Sequence, residues 1–439
     1  MIGRLGLPRG RWTRICLGLP LLAAACSSAS APGNSSSTTA SASTPATSPV
    51  LPTGSVTPSP SAPFTTMPLG PSPAPTTLTG AQAQARCTAT VMAGLSVTER
   101  AGQVLMVGVP AGAPASAIGV VRGYQVGGIF LRGRSAISVG ALRRQVDQLQ
   151  AAARSGVGIP LHIAADQEGG QVQTLSGSGF PRLPSARTQG QWNSATLAAR
   201  TAASATALRR AGITLNLAPV ADTVAPADRS RNPPIGRVAR EYGHTPSAVS
   251  ADVSVVVRAT QGAGVGTAAK HFPGLGRVRV NTDASAAAVD GVTTARDANL
   301  APFRAAVAAG TQAVMVSSAR YPRLDARRIA AFSPRVVTDL LRTDLRFTGI
   351  AVSDDLGAAK AVAAVPVGAR AVRFVGAGGD LVLTVRSWQV DSMRRALVAE
   401  AARSPMFTRR LNQAATRVVS GKVAAGLIPC SPTGVPGKA

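Results

Sequence analysis

The chain has 439 residues, 45% hydrophobic but only 3% aromatic, so any core is built from Ala, Val and Leu. Forty-six basic residues against nineteen acidic ones give a formal charge of +27, and only four of the bases are lysines. Length and composition exclude a fibrous protein, a disulfide-dense miniprotein and a wholly disordered chain, and no apolar run reaches the roughly 18 residues that a membrane-spanning helix needs.

The arginines are spread along the chain, aromatic stacking residues are scarce and no zinc, helix-turn-helix or RNP signature occurs, so nucleic acid is not an expected partner. Anionic envelope polymers or lipid headgroups suit the same charge, because its field is blind to sequence. A general bias toward Arg and Ala in the source proteome explains it equally.

At the start, Arg4, Arg9, Arg11 and Arg14 precede a short apolar run, 15–25, followed at once by Cys26. That run is too short to span a bilayer but suits the apolar part of an export signal. The ending Leu22-Ala23-Ala24-Ala25-Cys26 resembles a bacterial lipobox. Residues 1–26 are therefore predicted to be a lipoprotein signal peptide with Cys26 lipidated, anchoring the protein to the outer face of the cell membrane. Ala23 departs from the usual leucine, and ordinary cleavage releasing a soluble secreted protein is the alternative. Residues 27–80 are mostly Ser, Thr, Pro and Ala, with no charge between Arg14 and Arg86. Such a segment cannot offset its ordering entropy and is predicted to be a disordered tether, about 40 Å long as a coil. Of the four cysteines, Cys16 leaves with the signal and Cys26 carries lipid, leaving Cys87 and Cys430 near the ends of the folded region. Outside the cytoplasm two such thiols tend to pair. The bridge would close a loop of roughly 340 residues, worth about 4–5 kcal/mol in the chain-entropy model; two unpaired buried thiols are the alternative.

Residues 81–430 alternate short apolar runs with helix-patterned stretches, and 431–439 read as a flexible tail. The runs are 104–109, 127–131, 161–166, 215–220, 266–272, 313–318, 349–355 and 380–385; helical spacing marks 141–153, 195–211, 247–261 and 297–309. Ser333-Pro334 opens a further helix as N-cap and first-turn proline. Nearly continuous apolar strands alternating with helices imply a parallel sheet covered on both faces. Eight such units predict an α/β fold, a single (β/α)8 TIM-type barrel. Asp166, Asp222, Lys270, His271, Ser318, Asp354 and Thr384 all fall at or just after a strand's C-terminal end, where a barrel gathers its chemistry. Any one of the acids, Asp222 above all, could instead be a helix cap.

At these residues the chain resembles a known family. Lys270-His271-Phe272-Pro273-Gly274-Leu275-Gly276 is similar to the KHFPGHG motif of glycoside hydrolase family 3, in its β-N-acetylglucosaminidase branch. Asp166-Gln167-Glu168-Gly169-Gly170 resembles the DQEGG turn of that branch, and Asn216 to Asp222 its N-x-APVAD strand. Asn232-Pro233 through Ile235-Gly236 to Arg240-Glu241-Tyr242-Gly243 resembles NP-x-IG…RSFG, and Ser353-Asp354-Asp355-Leu356 the SDDL motif. With the export signal, the likeness is to lipoprotein members of the branch. It implies a retaining exo-β-N-acetylglucosaminidase acting on peptidoglycan-derived amino-sugar glycans or muropeptides, with no metal, no cofactor and a monomeric state. It also implies Asp354 as nucleophile, Lys270 and His271 on sugar hydroxyls, Asp166 as acceptor and Arg240 as donor.

Two departures stand out. The family's mobile loop carries Asp-Ser-His, whose histidine is the acid/base; this chain has Asn281-Thr282-Asp283. Its only histidines are His162, His244 and His271, none of them in that loop. Thr174 replaces a sugar-binding arginine. Either Asp283 serves as acid/base, or the loop has lost its acid and the protein is a weakened, glycan-binding relative; a family 3 β-glucosidase-like hydrolase of another substrate is a third reading.

Overall fold

The computed structural model describes residues 78–437. The expected signal, Cys26 and nearly all of the expected tether lie outside the described residues. The strands are β1 (Leu105–Pro110), β2 (Gly128–Arg132), β3 (His162–Ala165), β4 (Gln167–Gly169), β5 (Val172–Gln173), β6 (Leu215–Asn216), β7 (Gly266–Phe272), β8 (Ala313–Val316), β9 (Ile350–Ser353) and β10 (Val382–Thr384). Eight of them run parallel in the order β10-β1-β2-β3-β6-β7-β8-β9, and a parallel bridge between Val352 and Leu381 closes the ring. This is the expected (β/α)8 barrel. β4 and β5 form a separate antiparallel hairpin just above β3.

Each of the eight apolar runs holds one barrel strand, but the fourth is curtailed. Regular pairing covers only Leu215–Asn216 of 215–220, because Pro219 has no N–H for the ladder; Val220 nonetheless still bridges to Lys270.

The helices begin where their caps predict. Asn193 accepts from Thr196 N ahead of Ser194–Arg210, and Thr245 caps Pro246–Gly262 with proline in its first turn. Ser333 Oγ accepts from Val336 N at 3.3 Å, as expected of an N-cap. The helix it opens, Arg335–Asp344, is wound more widely than an α-helix, as a π-helix.

Side chains fill two layers. Met106, Phe130, Ala164, Leu215, Met315 and Val352 pack inside the barrel, while a larger cluster lies between strands and helices. Helix Pro405–Ala424 closes the N-terminal end of the barrel by placing Val418 in the inner cluster. The interior is therefore a packed core rather than a pore, each fully buried large aliphatic side chain adding about 1.5–3 kcal/mol. Cys87, on helix Gly80–Ala93, is joined to Cys430 in a disulfide with Cα atoms 6.0 Å apart. Among the described residues no helix is long and apolar enough to cross a membrane.

Candidate active site

A cavity of about 380 Å³ opens at the C-terminal ends of the strands, and Asp166, Arg240, Lys270, His271, Asp283 and Asp354 all line it. Phe130, Leu217, Met315 and Leu383 add apolar wall. Ser318 and Thr384 are buried but are not among the lining residues. Thr174 is buried inside the β4–β5 hairpin region, where its N–H donates to the Asp166 carbonyl at 2.9 Å, and it does not line the cavity either.

The pairing register of β7 shifts between Lys270 and Phe272, a bulge that lets two consecutive side chains, Lys270 and His271, reach the cavity. His271 Nδ1 lies 2.8 Å from Asp222 Oδ2, while Asp222 Oδ1 accepts from Leu275 N at 2.6 Å and His271 N at 3.3 Å. Asp222 is fully buried, so it fixes the ring and the following loop together and is not a helix cap. With the Nδ1 proton directed to Asp222, Nε2 faces Arg240 Nη2 at 3.4 Å.

Lys270 Nζ sits 2.5 Å from both Asp166 Oδ1 and Glu168 Oε1. Arg240 grips Glu168 with Nε at 2.9 Å and Nη2 at 2.8 Å, and its Nη1 donates to the Pro234 carbonyl at 2.9 Å. Burial alone would raise the Glu168 carboxyl, but the charges of Arg240 and Lys270 outweigh it and bring the group down to about 2. Burial likewise opposes the charge on Lys270, yet Asp166 and Glu168 hold its ammonium above the ordinary range. The two cations remain charged, with few N–H groups left free for a ligand. Glu168 is the residue that sequence reasoning passed over: it was legible only as the third position of the Asp166–Gly170 turn.

The surrounding motif residues are positioning devices. Gly169 takes φ +101°, and a side chain there would press into the Pro184 carbonyl, so the turn presenting Asp166 and Glu168 needs glycine. Gln167 locks the hairpin, donating to Leu175 O at 2.8 Å and accepting from Leu175 N at 3.0 Å. Asn232 accepts from Ile235 N and Gly236 N and donates to Leu275 O and Val278 O at 2.7 Å, tying the loop that carries Arg240 to the loop after β7. Buried Glu241 anchors the same loop to Arg187 and Arg229 at 2.6 and 3.2 Å.

Asp354 follows β9 directly; its N–H donates to Val316 O at 3.0 Å and its Oδ1 accepts from Asp355 N at 2.8 Å. Asp355 accepts from Gly357 N and Ala358 N at 2.8 Å and from Val385 N at 3.0 Å. It therefore caps the turn after the strand, and the next α-helix starts only at Val367. Asn281 folds its own loop, accepting from Asp283 N at 3.0 Å through its side chain and from Ala284 N and Ser285 N through its carbonyl. Two further bonds, Lys360 N to Asp283 O and Ala361 N to Thr282 O, both 3.1 Å, dock this loop on the segment beyond Asp354. Burial, then the negative charges of Asp354 and Asp355, push the Asp283 carboxyl up to about 6 against the opposing pull of His271 and Arg240. One carboxyl that holds its proton up to about pH 6 thus shares a cavity with a second acid. Among the described residues no group of three or more His, Cys, Asp or Glu is arranged to hold a metal ion.

The model of the glycosyl hydrolase family 3 N-terminal domain matches residues 96–420. A β-hexosaminidase of Stenotrophomonas maltophilia strain K279a is 35% identical over 295 residues, covering 65% of this chain and 82% of the relative. The crystal structure of a β-N-acetylhexosaminidase from Beutenbergia cavernae superposes with a TM-score of 0.73 at 42% identity, covering 76% of this chain and 99% of that one. M. tuberculosis LpqI superposes with a TM-score of 0.65 at 27% identity, covering 75% and 95%. Barrel, cavity and motifs agree with these likenesses, and the chain belongs to glycosyl hydrolase family 3 as a glycoside hydrolase.

Proposed function

We propose that this protein is a retaining exo-β-N-acetylglucosaminidase that removes amino sugars from peptidoglycan-derived fragments while anchored by lipidated Cys26 outside the cell membrane. The observation that carries the chemistry is the pair of acids in one cavity, with Asp283 raised to about 6 beside Asp354. The names of the similar β-hexosaminidases support the sugar, and the arginine-led, apolar, cysteine-ended start of the chain supports the anchor. In the first step an Asp354 oxygen attacks the anomeric carbon, while Asp283 gives its proton to the departing glycosidic oxygen. In the second, ionised Asp283 takes a proton from water, whose oxygen displaces Asp354 from the same carbon. Lys270, Asp166, Arg240 and His271 hold the sugar hydroxyls. An ionised Asp283 would repel attacking phosphate by about 4 kcal/mol at 4 Å and an effective dielectric of 20, so water is the acceptor and no sugar phosphate forms.

The test is product analysis on purified wall fragments, comparing wild type with Asp354→Ala, together with covalent trapping by a slow fluorinated N-acetylglucosaminide. Free amino sugar from the wild type alone, and a label on Asp354, are expected. A label on another carboxylate, or N-acetylglucosamine 1-phosphate formed in phosphate buffer, would overturn the mechanism.

A further inference from the structure

The opposite, N-terminal end of the barrel carries a second and larger cavity, of about 810 Å³. The starts of β7 and β9 line it, and helices Pro246–Gly262, Ala301–Ala308 and Pro405–Ala424 bring their C-terminal ends to its rim. Its charged lining residues are Arg209, Arg346 and Arg417, with no Asp or Glu among them. Arg209 and Arg346 are exposed and form no ion pair among the described residues. Arg417 reaches the buried Asp380 at 3.2 Å, but Arg342 and Arg410 pair with the same carboxylate. Three guanidiniums thus share one counter-charge, and Arg342 Nε and Arg410 Nη1 are buried with no hydrogen-bond partner. The region is electropositive and unneutralised, the arrangement that recruits an anion.

The same wall also presents acceptors. Gln312 donates from Nε2 to Gly421 O at 2.9 Å, which leaves its Oε1 buried and without a partner against Gly266. The helix ends offer carbonyl oxygens, whose negative polarity favours donors and disfavours a bare anion. A ligand that satisfies both halves carries an anionic group for the arginines and hydroxyl donors for Gln312 and the carbonyls.

We propose that this cavity is a binding site for a polyol phosphate, the phosphate seated on Arg209, Arg346 and Arg417 and a hydroxyl donating to Gln312 Oε1. Its volume lies in the range of small-molecule sites. The assignment is independent of the chemistry at Asp354, at the other end of the barrel.

Calorimetric titration of the full chain with glycerol 3-phosphate tests it, with inorganic phosphate and glycerol as comparators and Arg209→Gln/Arg346→Gln as the variant. Both side chains are exposed, so the fold survives their change; the melting temperature verifies this. Saturable binding is expected, tighter for the ester than for inorganic phosphate and weakened by about tenfold or more in the double variant. Arg209→Lys/Arg346→Lys should retain most of the affinity, and aryl-glycoside hydrolysis should be unchanged throughout. Vesicles of phosphatidylglycerol, against phosphatidylcholine, separate the two sources of the group. Binding of the soluble ester points to a free polyol phosphate; binding of phosphatidylglycerol alone, lost in the double variant, points to a lipid headgroup. No binding in either arm, affinity unaffected by the double variant, or equal affinity for inorganic phosphate and the ester would overturn the proposal.

Discussion

At Asp283 a carboxyl stands where the resembling branch carries an imidazole, and its proton decides what the site can do. Raised to about 6, it is an acid below that pH and a base above it. Hydrolysis of a disaccharide, whose leaving group needs a proton, should fall tenfold per pH unit above about 6. An activated aryl glycoside should show no such limb. Asp283→Asn should abolish the limb and slow the disaccharide by about 10²–10⁴, with azide restoring turnover of the aryl substrate. A pH–rate profile unchanged in the variant would remove Asp283 from the mechanism. The same shift has a sign for stability. The folded group ionises less readily than the unfolded one, so its penalty is absent below about pH 4 and complete above 6. Asp283→Asn should therefore raise the melting temperature at neutral pH while it lowers activity. Glu168 behaves oppositely. Its carboxyl, lowered to about 2 by Arg240 and Lys270, stabilises the fold above its unfolded value near 4.5, and that contribution is lost as pH falls toward 2. Glu168→Gln should cost about 3–5 kcal/mol in urea unfolding, as expected when a buried pair loses one partner. It should also raise KM more than it lowers kcat, because Lys270 and Arg240 lose the group that aims them.

At the level of elements, the loop 281–285 and the segment 359–361 act as one piece, held by the two backbone bonds at Asp283 and Thr282. Lys360→Pro removes one donor and should lower disaccharide turnover severalfold while sparing activated aryl substrates; equal loss on both substrates would mean that the contact only supports folding. This docking was not legible in the sequence, since it joins backbone atoms of segments some eighty residues apart. The barrel was legible, because strands buried on both faces read as unbroken apolar runs. Proline blurred the fourth run, whose ladder stops at Asn216. Asp166, Lys270, His271 and Asp354 were legible as polar residues at strand ends. The bond partners of Asp222 and the double grip on Glu168 were not, because position at a strand end says nothing about which neighbour a buried carboxylate meets. Ser318 and Thr384 show the converse: both lie at or just past a strand end, yet both are buried and neither lines the cavity.

Across the whole molecule, Cys87 and Cys430 join helix Gly80–Ala93 to the chain beyond helix Pro405–Ala424. With a sequence separation of 343, the bond should stabilise the fold by about 5 kcal/mol through the unfolded state. Cys87→Ser, or reduction of the wild type, should lower the melting temperature accordingly; two titratable thiols in unreduced, denatured protein would show the bridge to be absent. The bond also changes the topology of the covalent skeleton. Residues 87–430 form a ring, so a protease that cuts one surface loop opens the ring without dividing it. A singly nicked molecule should run as one species on a non-reducing gel and as two fragments after reduction, still catalytically competent in the first case. Damage at any single loop within the ring would then leave the barrel in one covalent piece.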